Sequence, residues 1–94
     1  MTKKSYSIPI KGIGKRRKKI DSLDLRLLGL LNKRLSIALE IRKIKKRMGL
    51  KIYDPLREKE VIKRLASRNR GPLKEEDVRR IFSTFMRISR KSKG

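Results

Sequence analysis

From Ile20 onward, apolar side chains recur at alternating intervals of three and four: Ile20, Leu23, Leu27 and Leu30, then Ile37, Ile41, Ile44 and Met48. That alternation is a helical seam of heptad type. The one seam position without an apolar residue is Arg34, with Leu30 and Ile37 one turn to either side. Gly29 lowers helix propensity but lies off the seam, and Gly49 is well placed to end the helix. The spacing predicts one helix from about Arg16 to Met48, roughly 50 Å long at 1.5 Å per residue. A compact chain of this size has a radius of gyration of only about 13 Å. Such a helix overshoots what the rest of the chain can cover. A partner chain is therefore expected to complete the core, most simply in a two-fold dimer.

Two shorter helices follow. Asp54-Pro55 reads as an N-cap followed by Pro at the first helical position. The second helix is expected to run to about Ser67, with Val61, Ile62 and Leu65 facing inward. Asn69-Arg70-Gly71-Pro72 is a turn. The third helix opens on Glu75, Glu76 and Asp77, acids that suit the positive end of a helix dipole. Its apolar stripe is Val78, Ile81, Phe82, Phe85, Met86 and Ile88. Nothing alternates like a strand, so the fold class is all-α, three helices per chain. Before the seam, Pro9, Gly12 and Gly14 interrupt a basic stretch without a single acid. Residues 1–14 are expected to be a flexible basic arm, and residues 15–94 the folded domain.

Composition narrows the chemistry. The 94 residues hold 30 Lys and Arg against 9 Asp and Glu, a formal net charge of +21. The charge points to an anionic partner without naming it. No apolar run approaches the roughly 20 residues that cross a bilayer. The basic start lacks the apolar stretch of a signal peptide, so a cytoplasmic location is expected. Cysteine and histidine are absent. Disulfides, thiolate or imidazole metal sites, and Cys or His nucleophiles and bases are thereby excluded, and no cofactor is expected.

Function should show where local rules are broken. Besides Arg34, Lys45 lies eleven residues further on, three helical turns, and projects from nearly the same face. Glu58 sits one turn before Val61 and Ile62, and Ser89 follows Phe82 and Phe85 at helical spacing. Each also has a plain explanation. Arg34 could set register or snorkel, and Lys45 could belong to a solvated face. Glu58 could pair with neighbours on its own helix, and Ser89 could bond its own backbone. Together they suggest a charged, partly buried pocket with more cations than anions, suited to a small polyanion.

At this point the chain resembles a known family. Ile20-Asp21-Ser22-Leu23-Asp24, then Leu27-Leu28 and Leu30-Leu31-Asn32-Lys33-Arg34, is similar to the opening helix of the all-helical chorismate mutases. So are Ala38, Glu40-Ile41, Ile44-Lys45, Gly49, Tyr53-Asp54-Pro55 and Arg57-Glu58, together with Asn69-x-Gly71-Pro72-Leu73 and Ile81-Phe82. The resemblance implies an intertwined homodimer of three-helix chains. It also implies the pericyclic rearrangement of chorismate to prephenate, on the way to phenylalanine and tyrosine. That reaction needs no nucleophile, metal or proton shuttle, which suits a chain without Cys or His. No fused dehydratase or dehydrogenase is apparent, so a stand-alone mutase is expected.

Carried over by position, the resemblance assigns roles. Arg34 would bind one substrate carboxylate, and Arg17 would reach in from the other subunit for the second. Lys45 would bond the ether oxygen and a carboxylate. Asp54 and Glu58 would hold the ring hydroxyl, and Arg57 would join in substrate binding and the local charge network. Ser89 would help bind a carboxylate, while Ile41 and Met86 would supply apolar walls. The chain departs from the family at Lys93, where Gln or Glu is common beside the ether oxygen. A second ammonium there would either assist Lys45 or stay outside on a frayed end. Arg90 stands where an apolar lining residue is common.

Two other readings compete. Isochorismate pyruvate lyase shares the fold and most of the cationic pocket, and only a comparison of substrates separates the two. A basic helical nucleic-acid-binding protein would also explain +21. Against it, aromatics are 4% of the chain, and both Phe lie on a core stripe. Little is left for base stacking, so nucleic-acid binding is expected to be at most non-specific and salt-sensitive.

Overall fold

The computed structural model describes the backbone of residues 7–93 and the side chains of residues 12–93. Three helices follow one another: α1 (Ser7–Arg47), α2 (Pro55–Arg68) and α3 (Glu75–Lys91). Among the described residues there is no strand, in keeping with a sequence that nowhere alternates. The chain divides into two units, Met1–Arg34 and Leu35–Gly94, and α1 contributes to both.

α1 begins at Ser7, well before the expected Arg16. Pro9 does not prevent this because it falls in the first turn, where a backbone N–H has no intrahelical acceptor to lose. Gly12 and Gly14 each cost about 1 kcal/mol relative to Ala, a penalty a long helix absorbs. Residues 7–14, read from the sequence as part of a flexible arm, are therefore helical; residues 1–6 lie outside the described residues. Within the first unit the seam residues Ile20, Leu23, Leu27 and Leu30 are exposed, Leu30 to 64%.

The second unit begins in the last turns of α1. Gly49, at φ 68°, takes the left-handed conformation that closes the helix. The Gly49 N–H donates to Lys46 O at 3.2 Å and the Leu50 N–H to Lys45 O at 2.9 Å, the paired bonds of a Schellman end. Asp54 then caps α2: its Oδ1 accepts from the Arg57 N–H at 3.0 Å, with Pro55 in the first turn. Asn69 organises the next turn, where its Nδ2 donates to Leu73 O at 2.6 Å and its Oδ1 accepts from the Gly71 N–H at 3.3 Å. α3 has no side-chain cap, but Glu75, Glu76 and Asp77 lie in its first turn, where the helix dipole favours acids.

α2 packs on α3. The buried apolar side chains among the described residues are Val61, Val78 and Met86, with Ile62, Leu65, Phe82 and Phe85 half-buried. Ile81 and Ile88, expected on the inner stripe, are instead about half exposed. They lie seven residues apart on the flank of a stripe too wide for α2 alone to cover. The seam residues of this unit, Ile37, Ile41, Ile44 and Met48, are exposed as well.

Arg42 fastens α1 to the end of α3. Its Nη2 donates to Ser89 O at 2.8 Å and to Arg90 O at 3.0 Å, and its Nη1 donates to Ser92 O. The Ser89 and Arg90 carbonyls lie in the last turn, where no i+4 donor follows within the helix, and Ser92 is its C-cap. Arg42→Ala should therefore lower stability by about 1–2 kcal/mol. For a chain of this size that is roughly a 5–10 °C fall in Tm, read by circular dichroism.

Candidate active site

The site positions predicted from sequence fall in both units. Arg17 and Arg34 belong to the first, Arg17 exposed and Arg34 half-buried on α1. In the second unit, Ile41 and Lys45 lie on the last turns of α1, Asp54, Arg57 and Glu58 at the start of α2, and Met86 and Ser89 near the end of α3.

Local structure fixes several of these. Lys45 is half-buried, and its Nζ donates to Ile52 O at 3.4 Å, a long bond that ties the ammonium to the connection between α1 and α2. The Asp54 carboxylate caps α2 and so sets the first turn that carries Arg57 and Glu58. Arg57 is turned along α2 toward Glu60, at 2.8 Å, in an exposed i,i+3 ion pair. Such a pair contributes a few tenths of a kcal/mol and leaves Arg57 easily redirected.

Glu58 behaves differently. It does not pair along α2 but reaches α3, where its Oε1 accepts from Arg90 Nη1. The carboxylate is half-buried, its side chain 25% exposed. The Arg90 guanidinium also lies over the Tyr53 ring, 4.9 Å from the centroid, in cation–π geometry. The hydrogen bond to Glu58 holds the Arg90 pKa above its ordinary value; desolvation opposes this, and the charges of Glu58 and Tyr53 add to it. Arg90 is charged throughout the pH range in which a protein is assayed.

Ser89 is buried, and its Oγ donates to Phe85 O at 2.9 Å, the backbone bond its sequence position allowed. A carboxylate ligand would have to draw that hydrogen away from Phe85. Met86 is buried beside it in sequence, whereas Ile41 stands 49% exposed on the seam. Lys93 is exposed and lies two residues past the end of α3. Just before it, Ser92 is anchored through its carbonyl to Arg42 and through its N–H to Ser89 O at 3.2 Å. Among the described residues no group of acidic side chains is placed to hold a metal ion.

The second unit thus joins Glu58 to the end of α3 that carries Ser89, and ties Lys45 to the loop leading to Asp54. Arg90 makes the first of these joints and Arg42 fastens α1 to the same end of α3; the sequence marked Arg90 only as a departure from an apolar lining position and did not mark Arg42. Arg90 finds its acceptor 32 residues away and Arg42 its acceptors nearly 50 away, so no local spacing signals either contact. Chemically, the unit offers the cations Lys45, Arg57 and Arg90 and one oriented carboxylate, Glu58, groups that suit a small anion bearing a hydroxyl group.

Comparison with known proteins gives the arrangement a context. The family described as chorismate mutase type II matches residues 16–93. A bifunctional chorismate mutase/prephenate dehydratase of Stutzerimonas stutzeri is 37% identical over 75 residues, which cover 74% of this chain and 20% of that protein. The chain therefore spans about a fifth of the length of that relative. Among solved structures, a chorismate mutase of Thermus thermophilus superposes with a TM-score of 0.81 at 34% identity, covering 82% of this chain and 96% of that one. The chorismate mutase of Helicobacter pylori, solved in complex with prephenate, superposes with a TM-score of 0.78 at 41% identity, covering 86% and 88% respectively.

Proposed function

The chain belongs to the type II chorismate mutases, and from that premise we propose that it rearranges chorismate to prephenate as a homodimer. The observation that carries this is the extent of the family match: residues 16–93 take in every position given a role, from Arg17 to Lys93. The fold agrees with the premise, since the three-helix chain superposes on a solved chorismate mutase with a TM-score of 0.81.

The reaction breaks a carbon–oxygen ether bond while a carbon–carbon bond forms, within one molecule and without proton transfer. Two demands follow. The flexible dianion must be held in its compact, chair-like form, because orientation alone can supply several kcal/mol of the barrier. Negative charge growing on the ether oxygen must then meet a fixed cation. Arg34 and the Arg17 of the second copy grip the two carboxylates, a task suited to the planar, bidentate guanidinium. Lys45 meets the ether oxygen as a compact charge. Asp54 and Glu58 stand at the ring hydroxyl, whose one hydrogen Glu58 accepts, and Arg57 leaves its exposed pair with Glu60 to join them. Ser89 donates to a carboxylate, Ile41 and Met86 line the apolar sides, and Lys93 adds a second ammonium at the ether oxygen.

The dimer is supported by the exposed seam. Eight apolar side chains from Ile20 to Met48 face solvent in the single chain, in one heptad stripe. Each is about half exposed, so covering the rest would release about 1 kcal/mol, and a two-fold partner presents the matching stripe. Nucleic acid is left with non-specific attraction to the +21 charge.

Chorismate and isochorismate offered in parallel to the purified chain test the choice of substrate. Prephenate from chorismate should far outpace pyruvate release from isochorismate; the reverse ranking would make the chain an isochorismate pyruvate lyase.

A further inference from the structure

Glu58 can select a hydroxyl only if its carboxylate is held in one place, and a glutamate on the first turn of a helix has three rotatable bonds to lose. The hold comes from Arg90. Its Nη1 donates to Glu58 Oε1, and the same guanidinium stacks at 4.9 Å on Tyr53, the residue just before the α2 cap. One planar cation thus braces both the carboxylate and the entrance of the helix that carries it. Arg90 is itself fixed from behind: Arg42 donates to the carbonyls of Ser89, Arg90 and Ser92. The brace runs from α1 through the end of α3 to the start of α2, all within the second unit. With Oε1 engaged by Arg90, Oε2 is left to accept from a ligand.

We propose that Arg90 is a positioning residue: it orients Glu58 to accept the ring hydroxyl of the substrate, from an α3 end that Arg42 holds in place. The proposal rests on the chorismate mutase reading of the same site. A hydroxyl contact is made equally in the ground state and the transition state, so its loss appears in KM more than in kcat.

The test is steady-state kinetics on chorismate with the full chain and the variants Arg90→Met, Glu58→Ala and the double variant. Met keeps the aliphatic bulk of Arg90 and removes the charge. Arg90→Met should raise KM about tenfold and leave kcat within about threefold, the size of a lost contact to a charged group. In the Glu58→Ala background the same change should alter KM by less than about twofold, because the two residues act as a unit. Arg90→Lys, which keeps the charge but not the fork, should raise KM by only about threefold. An unchanged KM in Arg90→Met, or an equal effect with and without Glu58, overturns the proposal. Should Arg90→Met fail to fold, Arg90→Lys decides by the same KM criterion. A wild-type chain inert toward chorismate would overturn the functional reading and this proposal together; an active wild type with an indifferent Arg90→Met overturns this proposal alone.

Discussion

Lys45→Met is expected to lower kcat on chorismate by about 100- to 1,000-fold, with KM changed far less. Losing one preorganised charge at the atom where negative charge develops typically has this effect, about 3–4 kcal/mol of barrier. The fold should tolerate the change. The described contact of the ammonium is a single 3.4 Å bond to Ile52 O, while the helix end beside it is closed by backbone bonds at Gly49 and Leu50. Met retains the stem. Helical circular dichroism should match the wild type, so that lost turnover reports on chemistry. A Lys45→Met chain with kcat within tenfold of wild type would remove Lys45 from the ether oxygen and leave Lys93 as the candidate cation.

The second large effect concerns assembly. Leu27→Asp places a carboxylate on the exposed seam, where Leu27 is 56% exposed in the single chain. If a second copy covers that seam, the substitution buries an unpaired charge and removes an apolar contact, at several kcal/mol. Two-fold symmetry applies the cost twice. At roughly 3 kcal/mol per copy the dissociation constant rises by about 10⁴-fold, and turnover should fall with it, since in the proposed dimer Arg17 comes from the other chain. Leu25→Asp is the control: Leu25 is 72% exposed and lies off the seam. Sedimentation should show Leu27→Asp as a monomer and Leu25→Asp unchanged. Leu27→Asp remaining dimeric and active would move the interface elsewhere.

The helices were legible in the sequence because their signals are local. Heptad spacing marks α1, Asp54-Pro55 opens α2, three acids open α3, and Gly49 closes α1 at a positive φ. The start of α1 was not legible: Pro9 and two glycines read as breakers, yet a proline in a first turn breaks nothing. Ile81 and Ile88 were misplaced for a related reason. Periodicity tells which residues share a face, but not how much of that face a neighbouring helix covers.

The site divides along the same line. Arg34, Lys45, Glu58 and Ser89 stood out because a polar residue on an apolar stripe breaks a local pattern. Ser89 also shows the limit of that signal, since its hydroxyl meets the backbone of Phe85, as many helical serines do. Arg42 broke no pattern, and Arg90 showed only as a departure from an apolar lining position, with nothing to say what it would meet. Their importance lies in acceptors supplied by another helix, and only the folded chain brings donor and acceptor together.

The most direct test of the central claim is to mix the purified chain with chorismate and follow loss of its absorbance, with prephenate measured as product. The account predicts loss far faster than the uncatalysed rearrangement, proportional to enzyme, matched mole for mole by prephenate, and abolished by Arg34→Ala in a chain that remains folded. Loss no faster than the uncatalysed rate, or full activity in the Arg34→Ala chain, would contradict it.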